Sequence, residues 1–206
     1  PKTFTMDPND LEKRITPNSK AIIVVSIYGL PADMDKIMAI AKRYNLKVIE
    51  DNAQCFLSSY KGMLTGSIGD IASYSFENTK HLSCGEGGMI ITNNEELAEK
   101  CRKFGGHGFK NLSASEGRVR LNQDIFQDPD YKRHDEIGWN YRMPELLAAV
   151  GLAQLERIDE LIELRQESAQ LFINIMNDTD FLIPQKVPNR CTNSYYTLGV
   201  LYEGER

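Results

Sequence analysis

The stretch KAIIVVSIYGLPADMDKIMAIAKRYNLKVIED, Lys20 to Asp51, decides the fold. It opens with a near-continuous, β-branched apolar run, Lys20 to Gly29, of the kind carried by a strand buried on both faces. The next segment places Met34, Ile37, Met38, Ile40 and Ala41 on one side of a helical wheel, with Pro31 at a tolerated start position and Asn45 near the stop. A second strand, LKVIED, follows. Strand, helix and strand within about 30 residues form a βαβ unit, which predicts an α/β fold with a mostly parallel sheet.

Working outward, Asp7 is placed to cap a short helix through Leu11 and Ile15. Downstream, IASYSF and GMIITN read as two further strands joined by a bend that contains Lys80 and the run GEGG. Glu95 to Phe104 has helical spacing behind an asparagine and acidic first turn. From Gly105 to Ile137 periodicity is lost over a segment far longer than an ordinary connector. Helical spacing then runs from Met143 to Met176, too long for one ordinary globular helix, and a break near Gln154 to Ile158 divides it.

At 206 residues the chain can bury one substantial core. With 29 acidic against 24 basic residues and no basic block, it has no footprint for a nucleic-acid backbone. No apolar run reaches a membrane span, and the first residues lack the order of a secretion signal, so a cytoplasmic location is expected. The four cysteines, Cys55, Cys84, Cys101 and Cys191, have no metal-ligand spacing and read as free thiols. His81, His107 and His134 are remote from one another and form no metal motif.

In open α/β sheets the ligand lies beyond the C-terminal ends of the strands. Asp51 ends one strand, and the Ser75 to Lys80 bend follows the end of another. Alone, each has an ordinary reading, Asp51 as a turn or cap residue and Lys80 as a solvated loop charge. The functional readings are a carboxylate facing a cation or protonated ring nitrogen, and an amine that forms an imine with a carbonyl. The glycines of GEGG suit positive φ and a close backbone approach. No P-loop, GxGxxG fingerprint or GxSxG elbow is present. His81 has two readings, proton transfer beside Lys80 or a structural role, and Glu86 supports the bend. Residues alone thus reach an α/β enzyme with an Asp and Lys pair.

Three motifs in order, VIEDNAQ, GSIGDIASYSFENTKHLSCGEGGMIIT and IGWNYRMPELLAAVGLAQLE, resemble the pyridoxal-phosphate sugar aminotransferases of the DegT/DnrJ/EryC1/StrS family. The resemblance implies a three-layer α/β/α, aspartate-aminotransferase-like large domain of PLP fold type I, here incomplete. It implies that residues 1–185 are part of that PLP-binding domain and 186–206 begin a C-terminal small domain. By the same resemblance Asp51 pairs with the pyridine nitrogen, Gln54 lies against the ring near its phenolic oxygen, and Ser75 holds the phosphate. Lys80 carries the cofactor as an imine and later moves the proton. Asn140 reaches the phosphate of a neighbouring subunit's cofactor, which implies a homodimer with shared sites. The reaction implied moves an amino group, with L-glutamate as donor, to a keto group of a nucleotide-linked sugar, in polysaccharide, glycan or antibiotic-sugar synthesis. His81, Lys110, Arg118, Arg120, Lys132, Arg133 and His134 are candidates to contact the substrate, with a solvated loop charge as each one's ordinary role.

Two alternatives belong to the same family. In its sugar dehydratases histidine replaces the lysine, whereas here that position is Lys80 and histidine stands only next to it. A regulatory relative that keeps the fold without catalysis would need no imine-forming lysine. Two positions depart from the family pattern: Asn52 stands where alanine is usual and Cys84 where threonine is frequent. Relatives also carry an earlier segment for the cofactor phosphate and ring, and a longer small domain.

Overall fold

The computed structural model describes residues 2–115 and 117–204, and of Arg118 the backbone alone. Helix α1 (Pro8–Arg14) is capped by Asp7, whose side chain accepts from the Asn9 amide, and leads into β1 (Ala21–Val25). A 3-10 turn, Ile27–Gly29, separates β1 from α2 (Met34–Arg43), and β2 (Lys47–Asp51) completes the βαβ unit. Pro31 does not open α2 as the spacing predicts. Asp33 is the N-cap residue, and Pro31 and Ala32 are buried in the approach to it. The Asp33 carboxylate makes no cap bond because it is engaged elsewhere, accepting from the Tyr60 hydroxyl at 2.8 Å and pairing with Arg190 at 2.7 Å.

Two two-residue strands, β3 (Ser59–Tyr60) and β4 (Met63–Leu64), make a hairpin before β5 (Ile71–Ser75) and β6 (Gly88–Ile91). The main sheet has the order β1-β2-β5-β6. Its first three strands are parallel, with Val25 opposite Asp51 and Asp51 opposite Ser73, and β6 runs antiparallel to β5. Then come α3 (Glu95–Gly105), the short pair β7 (Leu112–Ser113) and β8 (Gly117–Arg118), and α4 (Gln123–Gln127). The long C-terminal helical stretch divides as its length requires, into α5 (Glu145–Leu155) and α6 (Ile158–Met176). Strands β9 (Leu182–Pro184) and β10 (Val200–Tyr202) pair antiparallel.

The period of two in the strands sorts the sheet faces. Ile22, Val24 and Val48 point into a core closed by Met34, Ile37 and Ala41 of α2 and by Tyr60. A second cluster joins Phe56 and Leu82 to Ile158 and Ile162 of α6. The opposite face of β1 stays open, with Ile23 57% exposed. Of the three layers expected, the helical layer over that face is not found among the described residues. The segment between β9 and β10 lies against the turn after β1: Gln185 donates to the Ile27 carbonyl at 3.4 Å, and the Ser194 amide donates to the Gly29 carbonyl at 3.2 Å. No helix of the described residues is long and apolar enough to cross a membrane.

Candidate active site

Parallel strands deliver their C-terminal ends to one edge, and three expected site residues gather there. Asp51 is the last residue of β2 and Ser75 the last of β5. Since Asp51 faces Ser73 in register, and Ser75 is two residues on, Asp51, Ser73 and Ser75 share the open face with Val25. One Asp51 oxygen accepts from the Ala53 amide at 3.1 Å, and no ion pair among the described residues engages the carboxylate. Ser75 Oγ accepts from the Glu77 amide at 3.3 Å, which leaves its hydroxyl proton available to an acceptor.

Lys80 lies at the tip of a closed loop. Phe76 and Cys84 bond back across its base, with the Phe76 amide to Gly87 O at 2.8 Å and the Cys84 amide to Phe76 O at 3.0 Å. Gly85 has φ of +90°, as the expectation for GEGG holds. Gly87 and Gly88 serve the other purpose, close approach: a Cβ on Gly88 would lie 2.6 Å from Tyr74 O. The Lys80 ammonium stands 4.5 Å above the Tyr196 ring and has no carboxylate within ion-pair distance among the described residues. Tyr196 also shares a 2.9 Å hydrogen bond with Thr79 Oγ1. Tyr196 escaped the sequence reading, because 116 positions separate it from Lys80 and only the return of the chain beside Gly29 brings them together.

His81, a candidate for proton transfer or substrate contact, is instead buried at 3% exposure between Phe56 and Tyr196. Its Nε2 lies 2.9 Å from Ser194 O, and a carbonyl only accepts, so Nε2 carries the proton and Nδ1 is bare. Nδ1 is buried without a partner. Burial, and secondarily the charges of Arg165 and Lys80, pushes the imidazole down to about 4. The residue beside the lysine therefore tethers the bend to the C-terminal segment and is held neutral.

Gln54 Oε1 accepts from the Tyr28 amide at 2.9 Å, which turns its Nε2 donors outward. Tyr28 has φ of +60°, an uncommon conformation for an aromatic residue, at the turn that closes the same edge. Asn52, one of the departures from the family pattern, is fully buried with neither amide atom bonded. Glu50 is buried beside it in sequence, accepting from the amides of Gly66, Ile68 and Gly69 at 2.7, 2.8 and 2.6 Å. That carboxylate fixes the loop entering β5.

Asn140 is exposed, and no hydrogen bond among the described residues joins it to Asp51, Gln54, Ser75 or Lys80. Its backbone bridges Gly106, and its Oδ1 accepts from Arg142 Nε at 2.8 Å. Of the loop candidates, Arg120 and Arg133 line a cavity of about 390 Å3 with Phe109, Phe126 and Tyr131. Arg133 stacks on Phe126 at 4.6 Å, and His134 stacks on Phe109 at 4.7 Å. Lys110 and Lys132 are exposed, and the Lys110 amide bonds to Arg133 O at 2.9 Å. The side chain of Arg118 lies outside the described residues. No group of acidic, cysteine and histidine side chains that could hold a metal occurs among the described residues.

These elements define a class: an α/β protein whose parallel strands end in a carboxylate and a hydroxyl, with a lysine in the loop that follows and no ion pair to it among the described residues. The chain belongs to the DegT/DnrJ/EryC1/StrS aminotransferase family, whose model matches residues 1–206. It is 40% identical over 176 residues to a GDP-perosamine synthase of Escherichia coli O157:H7, covering 85% of this chain and 44% of that protein. It is 39% identical over 194 residues to a pleiotropic regulatory protein of Geobacillus stearothermophilus, covering 92% of this chain and 47% of that one. An aminotransferase from Psychrobacter cryohalolentis superposes with a TM-score of 0.84 at 32% identity, over 98% of this chain and 52% of that structure. The chain thus spans about half the length of these relatives. Pyridoxal phosphate is the cofactor of the family, and the residues present fit it. Asp51 is free to face a protonated ring nitrogen, Ser75 offers a hydroxyl to a phosphate, and Lys80 is an amine with no competing ion pair.

Proposed function

We propose that this chain is part of an aminotransferase that moves an amino group from an amino acid, L-glutamate, to a keto group of a nucleotide-linked sugar. The observation that carries the reading is that Asp51 and Ser75 end neighbouring strands and Lys80 lies in the loop that leaves β5, with neither Asp51 nor Lys80 in an ion pair among the described residues. The similarity to a protein named for a GDP-linked amino sugar supports the substrate class.

Bound pyridoxal phosphate would supply an electron sink for charge left on a carbon that loses its proton. Asp51 would keep the ring nitrogen protonated, because a carboxylate beside it favours the cationic form. Ser75 would donate its hydroxyl to the phosphate. Gln54, turned outward by the Tyr28 amide, presents Nε2 donors to the phenolic oxygen. Lys80 would hold the cofactor covalently, and its amine would take and return the proton at the substrate carbon as general base and acid. Asn140, exposed and joined by no hydrogen bond to these residues among those described, would serve a second copy's phosphate in a homodimer with shared sites.

The second reading, a regulatory protein that keeps the fold, is favoured by the Geobacillus relative. Absorption spectra of the full-length parent with pyridoxal phosphate, before and after L-glutamate and alongside Lys80→Ala, separate the two. A visible band of covalently bound cofactor that bleaches with glutamate and is missing in the variant is expected. A band that persists with every amino acid offered would sink the transferase and favour the regulator.

A further inference from the structure

We infer that Arg142 and His107 are positioning residues that set the carboxamide of Asn140 with its NH2 end toward an anion, so that Asn140 can bind the cofactor phosphate of a second subunit. The inference rests on the proposed role of Asn140. It extends to two residues that no motif or comparison assigns.

A carboxamide has two ends of similar shape and opposite use: its NH2 binds a phosphate, whereas its oxygen repels one. Arg142 decides between them. A guanidinium has only donors, so the 2.8 Å contact between Arg142 Nε and the Asn140 side chain must end on Oδ1, which leaves Nδ2 facing outward. The guanidinium is held in turn. Its Nη2 lies 3.1 Å from His107 Nε2, which must accept and is therefore unprotonated at that atom.

The backbone under this chain of contacts is fixed on both sides. The His107 amide donates to Trp139 O at 2.9 Å, and the Tyr141 amide donates to Gly105 O at 2.8 Å. The His107 carbonyl accepts from His134 Nδ1 at 2.7 Å. Gly138 permits the close crossing, since a Cβ there would lie 2.7 Å from Lys103 O. The segments 104–109 and 134–142 therefore form one clamp at the C-terminal end of α3, and Asn140 projects from it with a fixed amide. No carboxylate pairs with Arg142 among the described residues, so none competes with Asn140 Oδ1 for the guanidinium.

The test uses the full-length parent stripped of cofactor and titrated with pyridoxal phosphate and with pyridoxal, which lacks the phosphate. Arg142→Met is expected to weaken pyridoxal phosphate binding by about tenfold and leave pyridoxal within about twofold, as the loss of one oriented hydrogen bond to a charged group predicts. Arg142→Lys, which can still donate to Oδ1 but cannot span to His107, should recover part of the loss. His107→Leu should weaken binding and His107→Gln, which retains an acceptor, should restore it. In an Asn140→Ala background, Arg142→Met should add nothing further. Equal weakening of both ligands would show a merely structural role and overturn the inference. A large phosphate-specific loss in Asn140→Ala with a silent Arg142→Met would overturn this inference alone. A silent Asn140→Ala would overturn the role of Asn140 and this inference with it.

Discussion

His81 shows how a residue next to the reactive lysine can be chemically silent. Its folded imidazole is pushed down to about 4, first by burial, against about 6.5 in the unfolded chain. A depressed value means that the unfolded state binds the proton more readily, so His81 contributes stability above about pH 6.5 that is lost as pH falls toward 4. The groups around it are Phe56, Tyr196, the Ser194 carbonyl, Arg165 and Lys80; the carbonyl is taken by Nε2 and none of them bonds to Nδ1, so nothing there rescues the charged form. Urea melts of wild type between pH 7 and pH 4 should lose stability by roughly 3 kcal/mol more than those of His81→Gln, where no imidazole titrates. Parallel pH curves would refute the burial argument. Asn52 makes a converse case. An amide buried without partners opposes folding by about 1 to 3 kcal/mol, so Asn52→Ala should raise stability by about 1 kcal/mol after the small cavity is counted. A loss of stability in the same melts would mean that a water bonds the amide.

Among elements, the loop that enters β5 depends on Glu50. A carboxylate that accepts three backbone amides while buried leaves three donors orphaned when removed. Glu50→Ala should therefore cost about 3 kcal/mol or more, measured by denaturant unfolding, with faster amide exchange at residues 66–69. Exchange unchanged at those residues would show that the loop holds its shape without the clamp. This device was not legible in the sequence, where VIEDNAQ drew attention to Asp51, Asn52 and Gln54 and not to Glu50. What was legible had a local cause: the apolar runs of β1 and β2, the wheel of α2, and the α5–α6 break, which falls at Glu156 and Arg157 within the expected interval. Pairings such as β3 with β4 or β9 with β10 involve two or three residues each, too few to set a period. The site divides in the same way. Asp51, Ser75 and Lys80 could be placed from strand ends, whereas Tyr196, Arg142 and His107 enter only through contacts between distant segments.

For the whole molecule, the dominant feature is apolar surface left uncovered by the described residues. Helix α5, ELLAAVGLAQL, is apolar nearly all round, a pattern that belongs to a helix buried on several sides. One side borders an apolar groove of about 500 Å3 with Tyr74, Phe76, Met89 and Ile91 of the sheet. Leu152, which lines that groove, is still 63% exposed, and Leu146, outside its lining, is 82% exposed. Water is a poor neighbour for so much contiguous hydrocarbon, and such patches mark interfaces. The proposed homodimer would bury α5 between copies, near the Asn140 that is to serve the second site. The 206-residue chain should accordingly sediment as a dimer or larger species. Leu146→Glu with Leu152→Glu should shift it toward monomer, because a charge at a buried interface is costly to desolvate. Neither side chain supports the described core, so thermal unfolding of the variant monomer should show a cooperative transition. A wild-type chain that sediments as a monomer across the accessible concentration range would remove α5 from the interface, and the shared-site dimer would then have to be built on another face.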